Sequence, residues 1–79
     1  MKLLITVKFH TALKRYCPQN DGMLQFQYIE GLTVKKLLEQ LNLNNGAVGL
    51  VLVNGKIASR EIQLMRGDYV EIFPIFGGG

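Results

Sequence analysis

The sequence predicts a single α+β domain in which one helix packs across one face of a mixed, four- to five-stranded β-sheet. Three observations indicate this fold class. The chain opens on strict apolar–polar alternation. A segment with the apolar period of an α-helix lies in its middle, and further strand patterns follow that segment. A helix placed between a hairpin and a later strand must cross over one face of the sheet.

The first two strand patterns can pair as a hairpin. Alternation places Leu3, Ile5, Val7 and Phe9 on one face of the first strand, and Leu24, Phe26 and Tyr28 on one face of the second. Residues 10–22 break the alternation and end on Asn20-Asp21-Gly22, which is a turn signal. A short helical turn over Ala12 to Tyr16 fits inside this connection.

The helix is predicted in "LTVKKLLEQLNL". Thr33 is a suitable N-cap, and Asn44-Asn45-Gly46 supplies a stop signal. The apolar residues at i, i+3, i+4 and i+7 are Val34, Leu37, Leu38 and Leu41. Lys35 and Lys36 lie in the first turn, where the helix dipole disfavours cations. They are either solvated or form a positive patch for a partner.

Three turn and strand signals follow the helix. The run "LVLV" at residues 50–53 lacks polar alternation, which predicts a central strand buried on both faces. Asn54-Gly55 favours a type I′ hairpin turn, and Gly67-Asp68 precedes a last strand that ends at Pro74. If that last strand lies parallel to the first and beside it, the arrangement is the β-grasp fold of ubiquitin-like domains.

Composition excludes several classes of protein. One cysteine and one histidine cannot build a metal site, and no run approaches the roughly 20 apolar residues of a membrane span. The nine basic residues, which give a net charge of +3, are scattered, so nucleic-acid binding is not predicted. We expect a cytoplasmic protein that makes no contact with membranes.

No internal catalytic constellation is recognisable. The six carboxylates occur one at a time, and no partner for His10 can be named. Cys17 lies near Lys14 and Arg15 but has no nucleophile signature around it. We therefore expect a protein that is not itself an enzyme.

The chain ends on "IFPIFGGG", which we divide into a domain at residues 1–76 and a flexible tail at 77–79. Gly77 and Gly78 carry no side chains, so they can thread a narrow channel in a partner's active site. The α-carboxylate of Gly79, joined to AMP, would become an anhydride open to attack by a thiolate or persulfide. Four residues before the glycines are predicted to dock the partner: Phe73, Pro74, Ile75 and Phe76.

Three segments resemble a known family. They are "EGLTVKKLLEQLNL", "VLVNGKIASRE" and "LMRGDYVEIFPIFGGG", and together they are similar to the ubiquitin-like sulfur carriers. This family includes the small subunit of molybdopterin synthase and the sulfur carrier of thiamine thiazole biosynthesis. The resemblance covers nearly the whole chain.

The resemblance implies a carrier that binds no cofactor of its own. A ubiquitin-activating-type adenylyltransferase would use ATP to adenylate Gly79, and a persulfide sulfur source would convert the adenylate to a thiocarboxylate. The acceptor would be the molybdopterin synthase large subunit, in which case this chain is the small subunit of that complex, or thiazole synthase.

The branch of the family and two other functions stay open at this stage. The long connection at residues 10–22 and Phe73-Pro74 favour the molybdopterin-type branch, whereas "VNGKIASRE" is closer to the thiamine carrier. Ile75 and the third glycine depart from both patterns. The alternatives are a protein modifier conjugated through the same tail, and a small basic RNA-binding module motivated by Lys35 and Lys36.

Overall fold

The computed structural model describes residues 3–17, 21–43 and 45–75, which form five strands and one α-helix. The elements are β1 (Leu4–Phe9), β2 (Met23–Gln27), α1 (Val34–Gln40), β3 (Val48–Val53), β4 (Lys56–Ile57) and β5 (Tyr69–Pro74). Short 3₁₀ helices at Thr11–Tyr16 and Asn45–Ala47 precede β2 and β3. The first of these includes the helical turn predicted between the hairpin strands.

The strands form one sheet in the order β2–β1–β5–β3–β4, so the last strand of the chain lies at its centre. β5 runs parallel to β1 and antiparallel to β3. The β1–β2 and β3–β4 pairs are both antiparallel. This mixed sheet with one helix confirms the predicted β-grasp fold.

The core lies between α1 and one face of the sheet. Its fully buried side chains include Ile5, Val7 and Phe9 of β1, Val34 and Leu37 of α1, Val51 of β3, and Val70 and Ile72 of β5. Leu3, which the alternation assigned to the same face as Phe9, is instead 50% exposed. It lies just before β1, which begins at Leu4.

β3 is not the central strand, and it is not buried on both faces as its unbroken apolar run predicted. Val51 is buried, but Leu50 and Leu52 on the opposite face are half-buried. The second face of β3 stays partly open for two reasons. α1 covers only one face of the sheet, and the outer neighbour of β3, strand β4, has only two residues. Sequence pattern cannot tell a strand covered on both faces from one whose second face stays partly open.

The start of α1 follows the prediction. The Thr33 hydroxyl oxygen accepts a hydrogen bond from the Lys36 backbone N–H at 3.2 Å, which satisfies one of the free donors of the first turn. Val34, Leu37 and Leu38 are buried, and Leu41 is half-buried against the core. The helical period therefore identified the buried face correctly.

The end of α1 comes earlier than predicted. The helix ends at Gln40, and Asn42 adopts a left-handed φ of 60°. The Leu43 N–H then donates to the Leu38 carbonyl at 3.0 Å, and both side chains are buried. This is the pattern of a Schellman cap, with its apolar contact, and asparagine is one of the residues that tolerate the left-handed position. The predicted stop at residues 44–46 is therefore wrong.

Two turns that are distant in sequence are joined by a side-chain pair, which we call the Asn54–Asp68 clamp. Asn54 and Gly55 both have positive φ, 53° and 84°, as the predicted type I′ turn requires. The Asn54 Nδ2 donates to Asp68 Oδ1 at 2.9 Å, and Asn54 Oδ1 accepts from the Tyr69 N–H at 3.0 Å. The second oxygen of Asp68 accepts from the Met65 N–H at 2.8 Å. Both motifs thus have a structural role at the start of β5.

Candidate functional site at the end of β5

The predicted site residues follow the central strand of the sheet. Phe73 and Pro74 are the last residues of β5 and are half-buried, while Ile75 is 52% exposed. Ile75 therefore presents an apolar side chain to solvent, as a docking residue requires. The other predicted site residues, Phe76 and Gly77 to Gly79, lie outside the described residues.

His10 contacts this end of β5, which sequence reasoning missed. Its ring stacks on Phe73, with the ring centroids 4.0 Å apart and the planes 8° from parallel. Its Nε2 also lies 3.0 Å from Oε2 of Glu71, and both side chains are about one-fifth exposed, at 22% and 19%. His10 is therefore no ordinary loop histidine, since it covers one face of a predicted docking residue.

The contact between His10 and Phe73 follows from the register of the parallel strands β1 and β5. Phe9 pairs with Ile72, and the His10 N–H donates to the Ile72 carbonyl at 3.0 Å. The next residue of each strand, His10 and Phe73, then meets on the face away from the core. Such a register becomes visible once the pairing of the first and last strands is known.

The open face of the sheet presents an apolar strip beside the end of β5, which we define as Ile57, Leu52, Leu50 and Phe73. The strip is continuous, because Leu52 pairs with Ile57 and Leu50 pairs with Phe73. Leu50, Leu52 and Phe73 are half-buried, and Ile57 is 77% exposed. An apolar strip on the uncovered face of a sheet is typical of a surface that another protein covers.

A groove of about 450 Å³ lies where the chain leaves β5. Its lining consists of Val48, Gly49, Leu50, Pro74 and Ile75. The pairing of β3 with β5 shifts its register between Val48 and Leu50, at the floor of this groove. No local sequence signal connects Gly49 with the residues before the tail, because the two segments meet only through the pairing of β3 with β5.

The lysines of the first helical turn lie elsewhere on the molecule. Lys35 and Lys36 are both exposed. Lys36 lines a second groove of about 270 Å³ together with Glu30 and Glu39, so the charge around it is mixed. A mixed surface of this kind attracts the nucleic-acid backbone less strongly than a uniformly positive one.

Within the part of the chain that the structure describes, no cluster of three or more histidine, cysteine, aspartate or glutamate residues is placed to hold a metal ion. Among the same residues, no helix is long and apolar enough to cross a membrane.

A comparison with known families identifies the chain. The sequence profile of the ThiS family matches residues 21–79, which run from the turn before β2 through the final glycine. The chain belongs to the ThiS family. Its predicted resemblance to the ubiquitin-like sulfur carriers is thereby confirmed, and members of this family are small carrier proteins rather than catalysts.

Solved structures share the fold of this ThiS-family chain over nearly its full length. A protein described as molybdopterin converting factor subunit 1 from Pyrococcus furiosus is 22% identical, with a TM-score of 0.74 over 91% of this chain and 97% of the other. Small archaeal modifier protein 1 of H. volcanii is 18% identical, with a TM-score of 0.72 over 90% and 95%. Urm1 from Trypanosoma brucei is 24% identical, with a TM-score of 0.73 over 99% and 97%. At these identities the likeness establishes the fold.

Proposed function

We propose that this ThiS-family chain is a sulfur carrier whose reactive group is the carboxylate of Gly79. A ubiquitin-activating-type enzyme adenylates that carboxylate with ATP, a persulfide supplies sulfur, and an acceptor synthase receives it. The carrier itself holds no cofactor, and the chemistry takes place on the partner enzymes. We place it in the cytoplasm, where ATP and reduced thiols are available.

The chemistry proceeds in three steps. The Gly79 carboxylate attacks ATP, forming an acyl–AMP anhydride and releasing pyrophosphate. The terminal sulfur of a protein persulfide then attacks the acyl carbon, and AMP leaves with the bonding electron pair. A thiol finally attacks the inner sulfur of the acyl persulfide, which gives a disulfide and leaves the thiocarboxylate on Gly79.

The observation that carries this proposal is the position of the glycine run in a ThiS-family sheet. Two residues separate it from β5, the central strand, which pairs with β1 as far as Ile72 and with β3 as far as Pro74. A segment joined to the most firmly held strand leaves the domain from a fixed point. Glycines beyond that point let the carboxylate enter a narrow active site.

The docking surface in this proposal combines the predicted residues with the apolar strip. Ile75 is exposed beside the base of the tail, and Phe73 belongs to the strip on the open face. We therefore propose that a partner covers this face while the tail enters its active site. Phe76 and Pro74 complete the docking residues that the sequence predicted.

For the acceptor we favour molybdopterin synthase over thiazole synthase. A structural relative described as molybdopterin converting factor subunit 1 supports this choice, as do the long connection at residues 10–22 and Phe73-Pro74. The test offers the sulfur-loaded carrier to the large subunit of molybdopterin synthase and, separately, to thiazole synthase. Transfer to thiazole synthase alone would reverse the assignment.

The proposed function is tested by mass spectrometry of the intact protein. The carrier is incubated with an activating enzyme of the same organism, ATP and a persulfide donor, and Gly79 should gain the mass of one oxygen replaced by sulfur. Deleting Gly78-Gly79 should abolish this change while the melting temperature stays nearly constant. Gln27→Ala, on an exposed position of the edge strand β2, is the matched control and should be loaded normally. Loading of the deleted chain, or no loading of the intact one, contradicts the proposal.

A second candidate function is a protein modifier joined to lysines through the same tail, because one structural relative is named small archaeal modifier protein 1. It predicts covalent adducts in cell extract that survive reduction. The RNA-binding alternative predicts instead a complex that weakens steeply with salt and ignores deletion of the tail. Either result without sulfur loading would replace the carrier proposal.

A further inference from the structure

Gly49 lies at a β-bulge beside the residues that lead into the tail. Val48 pairs with Pro74 and Leu50 pairs with Phe73, so three residues of β3 stand opposite two of β5, and Gly49 is the extra one. A bulge of this kind bends the strand that carries it and changes the direction of what lies against it.

The absence of a side chain at Gly49 is required by space. A Cβ built on this residue would lie 2.8 Å from the Pro74 carbonyl oxygen, 2.9 Å from the Ile75 Cα and 3.1 Å from the Ile75 nitrogen. All three are backbone atoms, so no change of rotamer relieves the contact. The φ of Gly49 lies outside the left-handed range, which means that close approach, not backbone conformation, demands glycine here.

The bulge is held in place from outside the sheet. The Arg60 guanidinium donates from Nη2 to the Val48 carbonyl at 2.9 Å, in a half-buried contact between residues 12 apart in sequence. The Arg60 carbonyl in turn accepts from the Lys35 N–H of the first helical turn at 2.9 Å. The floor beneath Pro74 and Ile75 is thus fixed to the helix as well as to β5.

We propose that Gly49 is a positioning residue of the carrier, whose bare backbone sets the direction in which the tail leaves β5. This inference rests on the proposed function, and it gives a role in that function to a residue that lies well before the tail in sequence. The clashing atoms all belong to the peptide unit between Pro74 and Ile75, and the ring of Pro74 fixes the φ that precedes this unit. An added methyl group therefore has to turn or shift that peptide unit, which changes the direction of the chain from Ile75 onward.

The size of the displacement follows from the contacts. Carbon atoms pack at about 3.5 Å or more, so the 2.9 Å separation leaves an added Cβ about 0.6 Å too close to the Ile75 Cα. A misplacement of about 1 Å can slow a reaction about a hundredfold. We expect Gly49→Ala to lower kcat for adenylation about tenfold with a smaller change in KM, because the apolar strip keeps all its side chains while delivery of the carboxylate suffers.

The experiment measures ATP–pyrophosphate exchange by the activating enzyme with the full-length carrier as substrate. Ile72→Val is the matched control, because it removes one buried methyl group from β5 and lowers the stability of the domain without changing the groove. The kcat measured with this variant should stay within about twofold of wild type. Arg60→Met keeps the aliphatic stem but removes the bond to Val48, so it should lower kcat in the same direction as Gly49→Ala. This second variant keeps the test decisive if Gly49→Ala does not fold.

The outcomes separate the two proposals. If wild type is adenylated and Gly49→Ala and Arg60→Met both behave like Ile72→Val, Gly49 does not position the tail. If wild type is not adenylated, the proposed function fails, and the direction of the Ile75 N–H vector still tests the inference by residual dipolar couplings. An unchanged vector in a folded Gly49→Ala protein would overturn it.

Discussion

The Asn54–Asp68 clamp can be tested by exchanging its two residues. In the double variant Asn54→Asp/Asp68→Asn, the new carboxylate accepts from the Tyr69 N–H, as the Asn54 amide oxygen does now. The new amide at position 68 donates to that carboxylate and accepts from the Met65 N–H through its oxygen. The exchange therefore keeps all three hydrogen bonds, and aspartate, like asparagine, tolerates the left-handed backbone at position 54.

Each single variant breaks this pattern. Asp68→Asn leaves two donors facing one amide oxygen, so one bond is lost and the free energy of unfolding falls by about 1 kcal/mol. Asn54→Asp places two carboxylates where a bond of 2.9 Å now stands, which adds a repulsion of about 1 kcal/mol to the lost bond and gives about 2 kcal/mol in total. For a domain of this size, about 1 kcal/mol corresponds to a fall of roughly 4–8 °C in melting temperature.

The assay is urea unfolding followed by circular dichroism, with the four proteins compared as a double-mutant cycle. The two single losses sum to about 3 kcal/mol, and the double variant should recover most of it, which gives a favourable coupling energy of about 2–3 kcal/mol. If its loss equals the sum of the two single losses, the hydrogen bonds of the clamp do not hold the two turns together. The role we assign to both motifs would then be wrong.

Three further outcomes are expected. Thr33→Ala removes the acceptor for the Lys36 N–H and should cost about 1 kcal/mol by urea unfolding, whereas Thr33→Ser, which keeps the oxygen, should cost a few tenths; equal losses would contradict the cap. Phe9→Ala empties a fully buried position and should cost about 3–5 kcal/mol, a large share of the stability of a small domain, while Ile57→Ala, at a site 77% exposed, should stay within about 0.5 kcal/mol. His10→Ala removes the ring stacked on Phe73 and should lower the free energy of unfolding by about 1 kcal/mol, and His10→Phe should recover part of that loss. NMR measures the ring-current shifts of the Phe73 protons. If these shifts are the same in wild type and His10→Ala, the two rings do not stack in solution.

Local patterns in the sequence determined most of the secondary structure. The helical period of α1, its Thr33 cap, the Asn54-Gly55 turn and the alternation of β1 depend on neighbours within a few residues, and each can be read without knowing the fold. Order of elements then predicted the β-grasp arrangement, because a helix between a hairpin and a later strand has few places to pack. The roles of the glycine run and of the docking residues were also predicted from the sequence, and these roles remain proposals.

Tertiary structure decided the contacts between residues that are far apart along the chain. His10 meets Glu71 across 61 positions, Asn54 meets Asp68 across 14, and Gly49 lies under Pro74 and Ile75. Each contact depends on the register of β5 against β1 or β3, and a shift of one residue would turn the side chains of β5 to the other face. The sequence by itself predicted a small β-grasp domain whose last strand leads into a glycine run. The register of that central strand decided which residues lie beside the end of β5, because hydrogen-bond pairing across the sheet sets distances that no local pattern encodes.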